Sequence, residues 1–411
     1  MKKLLALLLA LVLIVGLAAC ATPPAQPTPT PATPTPAPTN GDDNGDDNGD
    51  EPAELRVIQL GGLAPLTGGF TEFGQGFAAA WQMAIEDINA AGGTTNGFTF
   101  EITVEDSRSE PGESANLASR FAENPNIMAI LGDFSSGACM AAAPIVDEAG
   151  IVMISPTASH PDFAPMSPFT FGIMGLQSGE APWYARQIVQ RYIGAETVAV
   201  IHLNTDWGVA SFGFFEEEAN EIGLEIVEVV SHAEEEMDFT ALVARMRAAD
   251  PDLVVILGQG TVADIINAIR GVGWDVDISA LGPGTSAQIL ELAGANAEGL
   301  IVPTPFFFDP LNPELVEWSN RFVAITGFEP TVHPATAYDT MMLIARAVEM
   351  IGDGEVTRQA IRDNLAIIDD VVGITGHIRF NPTGDLFREY LIAGVVNGEW
   401  VLLEDFGFAD R

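Results

Sequence analysis

From Leu55 the chain alternates short apolar runs with amphipathic helical stretches, and after a loop near residue 176 the same rhythm begins again. That alternation constrains the fold more than any other feature, because strands alternating with helices build a mostly parallel sheet covered by helices. The first unit predicts strands over 55–63, 98–105, 127–131 and 151–154, and helices over 76–91, 113–124 and 136–149. On the first helix Phe77, Trp81, Ala84, Ile85 and Ile88 share one face, and Gly92-Gly93 stops it. The second unit predicts helices over 180–192, 210–221, 239–248 and 261–271, with strands over 197–203, 225–230, 253–257 and 300–302. Helices over 313–326 and 335–351 follow, then strands near 376–380, 390–396 and 399–403. A chain of 411 residues with 47% apolar content can fill two cores. The fold class expected is α/β in two lobes with a cleft between them.

The N-terminal segment belongs to neither lobe. Lys2 and Lys3 precede an apolar run from Leu4 to Leu17, too short to span a bilayer comfortably, which ends in Leu17-Ala18-Ala19-Cys20. Small residues before a cysteine at that distance resemble a lipobox, so residues 1–20 are expected to be a lipoprotein signal peptide. Cys20 would then be the lipidated first residue, anchoring the chain to a membrane surface outside the cytoplasm without spanning it. Residues 21–54 read as a tether. Its first part, Thr22 to Thr39, is nearly all Pro, Thr and Ala and favours an extended spacer. Asn40 to Glu51 is Asn, Gly and Asp with nothing apolar to bury.

Charge excludes several function classes. The only lysines are Lys2 and Lys3, so the chain beyond the leader carries 15 arginines against 57 acids, a net charge of 15 − 57 = −42. Nucleic acid and anionic membrane surfaces are poor partners for such a chain. A Walker lysine and a Schiff-base lysine are both lacking, which excludes P-loop and pyridoxal chemistry. Cys139 lies in an apolar run and reads as a small core residue, with no second body cysteine to form a disulfide.

Four segments carry a resemblance. They are Leu63-Ala64-Pro65-Leu66-Thr67-Gly68 with Phe73-Gly74 and Ala84-Ile85-Glu86-Asp87-Ile88-Asn89-Ala90-Ala91-Gly92-Gly93; Gly132-Asp133-Phe134-Ser135-Ser136; Ala149 to Ser159; and Gly376 to Asp385. In this order they resemble the leucine/isoleucine/valine-binding family of type I periplasmic binding proteins. The resemblance implies a clamp whose chain crosses three times between lobes, with lobe 1 at 55–175 plus 305–385 and lobe 2 at 176–304 plus 386–411. It also implies a monomeric, extracytoplasmic solute-binding protein of an ABC importer. Such a protein binds a small carboxylate such as a branched-chain amino acid, closes on it, and hands it to a membrane permease. It uses no cofactor and catalyses nothing.

The residues fit such a pocket. Ser136 begins a predicted helix after a strand, where unpaired N–H groups suit an anion. Ser155-Pro156-Thr157-Ala158-Ser159 follows the next strand at the same sheet edge, where open α/β sheets bind ligands. By resemblance Ser136, the Ala158 backbone and Ser159 grip a carboxylate, with Thr157 beside them. Each serine taken alone reads more readily as a helix cap; the pair at matching strand ends shifts the reading to function. Phe73 and Trp207 would face the ligand from opposite lobes, although Phe73 could as well be core. In amino-acid-binding members, second-lobe acids hold the ammonium. Here Gly284 stands where an acid is expected, Gln177 stands where an aspartate is usual, and an aromatic position falls near Gly260, in Gly258-Gln259-Gly260. Asp206, Glu180 and Asp133 are the candidate replacements; otherwise the ligand is a carboxylate or amide without an ammonium.

Enzyme readings find little support. His160, His202, His232, His333 and His377 form no His-x-x-x-His pair, no metal motif appears, and no Gly-x-Ser-x-Gly elbow occurs. The acidic runs 216–218 and 234–236 read as solvated faces. A clamp of the same fold that signals instead of transporting is the competing function.

Overall fold

The computed structural model describes residues 56–282 and 284–404. The leader, Cys20 and the tether lie outside the described residues.

Strand β1 (Arg56–Ala64) leads through helix α1 (Thr71–Ala90) to β2 (Phe98–Asp106), and α2 (Pro111–Glu123) leads to β3 (Ile127–Leu131). Helix α3 (Ser136–Ala149) then returns the chain to β4 (Val152–Ser155), and a loop brings in β5 (Thr170–Gly172). These five strands form one sheet in the order β2-β1-β3-β4-β5, with every pair parallel. Strands β3 and β4 are almost wholly apolar and buried, as a sheet covered on both faces requires.

After residues 173–176 the chain enters α4 (Gln177–Trp183), which continues into wider π-type winding over Tyr184–Ile193. Pro182 lies inside α4 and removes a backbone donor at that junction. Strands β6 (Thr197–Leu203) and β7 (Glu225–His232) flank α5 (Asp206–Ile222). Helix α6 (Thr240–Ala248), β8 (Leu253–Leu257), α7 (Val262–Gly271), β9 (Asp277–Leu281), α8 (Ala287–Ala293) and β10 (Ile301–Thr304) complete the second run. The chain then crosses back. Helices α9 (Pro313–Thr326), α10 (Val332–Glu349) and α11 (Arg358–Leu365) supply Trp318, Phe322, Leu343, Ile344 and Ile361 to the core that covers the first sheet. A small hairpin, β11 (Val371–Gly373) with β12 (Gly376–Ile378), precedes the third crossing. Finally β13 (Leu391–Val396) and β14 (Glu399–Glu404) add antiparallel strands to the second sheet, whose order is β14-β13-β10-β9-β8-β6-β7.

The expected two-lobed α/β architecture with three crossings is therefore what the chain adopts. Additions to the expected elements are β5, β9, α8, α11 and β11. Two crossings are joined by Arg388. Its guanidinium donates from Nε and Nη2 to the Ile173 carbonyl at 3.1 and 2.8 Å, and from Nη1 to the Thr375 carbonyl at 3.0 Å. Asp339, buried on α10, accepts from the Ile374 and Thr375 N–H groups and the Thr375 hydroxyl, and lies within electrostatic reach of Arg388.

Candidate functional site

The strand ends of both sheets point at one another across a cleft. On the first sheet, β3 runs into Asp133 and Phe134, and Ser135 caps α3 by accepting from Ala138 N–H at 3.3 Å. Ser136 is thus not the cap. Its buried hydroxyl oxygen accepts from the N–H groups of both Ser159 and His160 at 3.3 Å, holding the loop after β4 in place. Ser159 starts no helix either. That loop is fixed again by Ser155, whose hydroxyl accepts from Thr157 and Ala158 N–H at 3.2 and 2.8 Å and donates to the Asp133 carbonyl at 2.8 Å. Thr157 in turn donates its hydroxyl to the Phe134 carbonyl at 2.7 Å.

From the second sheet, the turn after β6 opens α5 with Thr205 as cap and Asp206 and Trp207 as first residues. Trp207 is buried, and its indole N–H reaches across the cleft to the Ser159 hydroxyl at 3.1 Å. Gly282 follows β9 at φ +107°, and a Cβ there would lie 2.5 Å from Cη2 of Trp207. The indole can lie against this strand end only because residue 282 lacks a side chain.

A narrow cleft lies between these groups. Thr157 and Ser159 form one wall, Trp207, Gln259, Gly282 and Gly284 the other. Glu180, from the start of α4, closes the hinge end with Met174, and Pro303, Pro305, Val332 and His333 complete the lining. Four of the expected ligand contacts, Thr157, Ser159, Trp207 and Gly284, therefore share one pocket. Ser136 and Ala158 stand just behind its wall, in the bonds described above. Phe73 is further back, stacked on Phe134 at 4.4 Å and meeting the His333 ring edge-on at 4.8 Å. Gln177 is fully buried beneath Trp207, donating to its carbonyl at 3.0 Å.

Of the three acids considered for an ammonium, Glu180 alone lines the pocket. Asp133 is buried under the sheet edge, accepting from the Ser109 hydroxyl at 2.9 Å and from Phe134 N–H at 2.6 Å. Asp206 is exposed and directed at Gly137, where an added Cβ would be 3.0 Å from its Oδ2. Burial raises the Glu180 carboxyl to about 7. His333, positioned by the Thr331 cap of α10, is driven down to about 3 by burial, so its ring is neutral.

Sequence reasoning missed Gln259 and His333. Gln259 lies in the Gly258-Gln259-Gly260 stretch, where an aromatic was expected. His333 gave no signal, since nothing local distinguishes a buried histidine after a cap from a surface one.

The lobes touch at more than the pocket. Glu72, at the start of α1, accepts from the Ser286 hydroxyl at 2.7 Å and from Gln288 N–H at 3.4 Å. A Cβ on Gly260 would run into the Gly69 carbonyl from the other lobe.

Comparison with known proteins agrees with this geometry. A Pseudomonas aeruginosa leucine-, isoleucine-, valine-, threonine- and alanine-binding protein is 25% identical over 328 residues, 78% of this chain and 85% of the relative. The crystal structure of a leucine-binding protein from Thermotoga maritima superposes with a TM-score of 0.78 at 25% identity, covering 85% of this chain and 98% of that one. An ABC-transporter solute-binding protein from R. palustris, solved with benzoate, shares the fold with a TM-score of 0.77 at 18% identity, over 84% of this chain and 95% of that one. The periplasmic binding protein family profile matches residues 57–399, and the chain belongs to that family.

Proposed function

We propose that the cleft captures a small carboxylate solute, a branched-chain amino acid in the first instance, and that lobe closure presents it to an ABC permease for import. The observation that carries this reading is the convergence of Thr157 and Ser159 from one lobe with Trp207 from the other on one pocket. The Ser159 hydroxyl, which accepts from the indole and keeps its own proton to donate, suits a carboxylate at the strand end, and the indole gives an apolar face. The relatives that bind leucine, isoleucine and valine support the ligand class. The same core joins β1–β5 to α9–α11, which supports lobe limits at 55–175 plus 305–385 and 176–304 plus 386–411. In this reading the mature chain is a lipid-anchored monomer held outside the cytoplasm through Cys20, and it binds without catalysing.

A second reading is favoured by Gly284: without an acid there, the ligand is an aromatic or aliphatic carboxylate, as in the benzoate-bound neighbour. A thermal-shift screen of the purified protein separates the two. At a hundred times its dissociation constant, a ligand that binds only the folded state adds about 2.7 kcal/mol. A rise in melting temperature with leucine, isoleucine or valine supports the first reading; a rise with benzoate alone supports the second. If the whole panel leaves the melting temperature unmoved, the carboxylate-capture reading fails.

A further inference from the structure

We infer that Glu180 receives the ligand's ammonium, so that in this protein the cation subsite stands on the hinge helix α4 and not at the strand end of the second lobe. This rests on the reading of the cleft as an amino-acid site.

Glu180 is the only charged side chain among the described residues that line the pocket. It closes the same cleft that Thr157 and Ser159 wall, so a zwitterion could offer its carboxylate to the Ser159 hydroxyl and its ammonium to the acid. Among the described residues its carboxylate has no hydrogen bond or ion pair. Position 284, where the resemblance expects an acid, would take one only under strain in this backbone. Its φ is +58°, and an added Cβ would lie 3.2 Å from Cε1 of His333 and 3.3 Å from Val332 Cγ1. The histidine ring crowds the point where an acidic side chain would start. Being neutral, it neither repels an ammonium nor competes for Glu180.

The charged surroundings of Glu180 are otherwise committed. Arg388, on the third crossing, spends its donors on the Ile173 and Thr375 carbonyls. Tyr390, on the same segment, is kept protonated by burial and by the charge of Glu180. Helix α5, which packs on α4, brings Asp206 at its exposed start and Glu218, which is paired with Arg186. An ammonium reaching Glu180 would therefore meet an unpaired, desolvated carboxyl, where a charge-assisted bond is strongest. Because that carboxyl ionises near 7 when alone, pairing must expel its proton at lower pH.

The test is calorimetric titration of the wild-type protein, Glu180→Gln and Glu180→Asp with leucine and with 4-methylpentanoate, the same skeleton without the amine. Glu180→Gln should weaken leucine roughly a hundredfold, as expected when one partner of a buried charge pair is removed, and leave 4-methylpentanoate within about threefold. Glu180→Asp should recover part of the loss. Below pH 7, leucine binding to the wild type should release a proton, seen as a heat that depends on the buffer, and Glu180→Gln should abolish that release. Leucine binding that survives Glu180→Gln within threefold, with unchanged proton release, overturns the inference and leaves the amino-acid reading standing. A wild-type protein that binds 4-methylpentanoate or benzoate but no α-amino acid, or that binds none of them, overturns both. The melting temperature of Glu180→Gln, expected to equal or exceed the wild type's, shows that any loss is not unfolding.

Discussion

Ser135 and Ser136 are neighbours with different work. Ser135 caps α3, whereas Ser136 ties the loop after β4 through two N–H groups. Removing the second hydroxyl leaves two buried donors unsatisfied, at a cost of about 1–3 kcal/mol each when no water replaces it. Ser136→Ala should therefore lower the melting temperature and weaken ligand binding together, while Ser135→Ala should cost about 1 kcal/mol and change affinity less. Paired melting curves and titrations check this; the opposite ranking would assign the binding role to the cap. Which hydroxyl caps and which ties the loop was not legible in the sequence, because adjacent serines differ only in where the tertiary fold puts their neighbours. Thr157, Ser159 and Trp207 were legible, since each follows a strong apolar strand at the edge where such sheets bind ligands. Glu180 was legible only as one acid of three; the geometry of the other two removes them from the wall.

Strands β3, β6 and β8 and helices α3 and α9 begin and end where their apolar patterns predict. Strand β9 was hidden because it starts on Asp277 and contains Ser279, whose hydroxyl is satisfied by the Ile301 carbonyl at 2.8 Å on the neighbouring strand. Pairing with β8 and β10 makes it a strand, not its own pattern. Helix α4 starts three residues earlier than its periodicity suggests, at Gln177, and its π-type continuation shifts the apolar period that a 3.6-residue repeat would show. Between elements, the Glu72–Ser286 bond links the two lobes. Burial raises the Glu72 carboxyl, yet its two donors still favour an acceptor there. Glu72→Ala should speed ligand release about tenfold with little change in association rate, measured by stopped-flow displacement. Equal release rates would mean the bond is incidental to closure. At the hinge, Arg388→Met should cost about 3 kcal/mol, because three carbonyl bonds vanish and Asp339 loses its nearest buried cation. A melting curve within a degree of wild type would contradict that.

Across the whole molecule, acidity shapes stability. Burial raises Glu180, Glu234 and Asp385 each to about 7, from ordinary values near 4.5 for glutamate and 3.8 for aspartate. His333, lowered from 6.5 to about 3, works the other way below about 6.5, but against the three raised acids the folded chain still holds more protons than the unfolded one between roughly pH 4 and 7, so stability falls as pH rises through that window. Self-repulsion in a chain with 57 acids and 17 basic residues acts in the same direction. Calorimetric melting should give a higher transition temperature at pH 5 than at pH 7.5, and added amino acid should narrow the gap from the pH 7.5 side. A transition that rises steadily from pH 5 to 7.5 would contradict this. The clamp itself is most directly tested by titrating the protein with leucine at pH 7.5, beside a Thr157→Ala, Ser159→Ala double variant that still melts cooperatively. Saturable one-to-one binding by the wild type, lost or weakened at least a hundredfold in the double variant, is the expected result. Binding of equal strength to both proteins would place the ligand outside the cleft and contradict the proposed site.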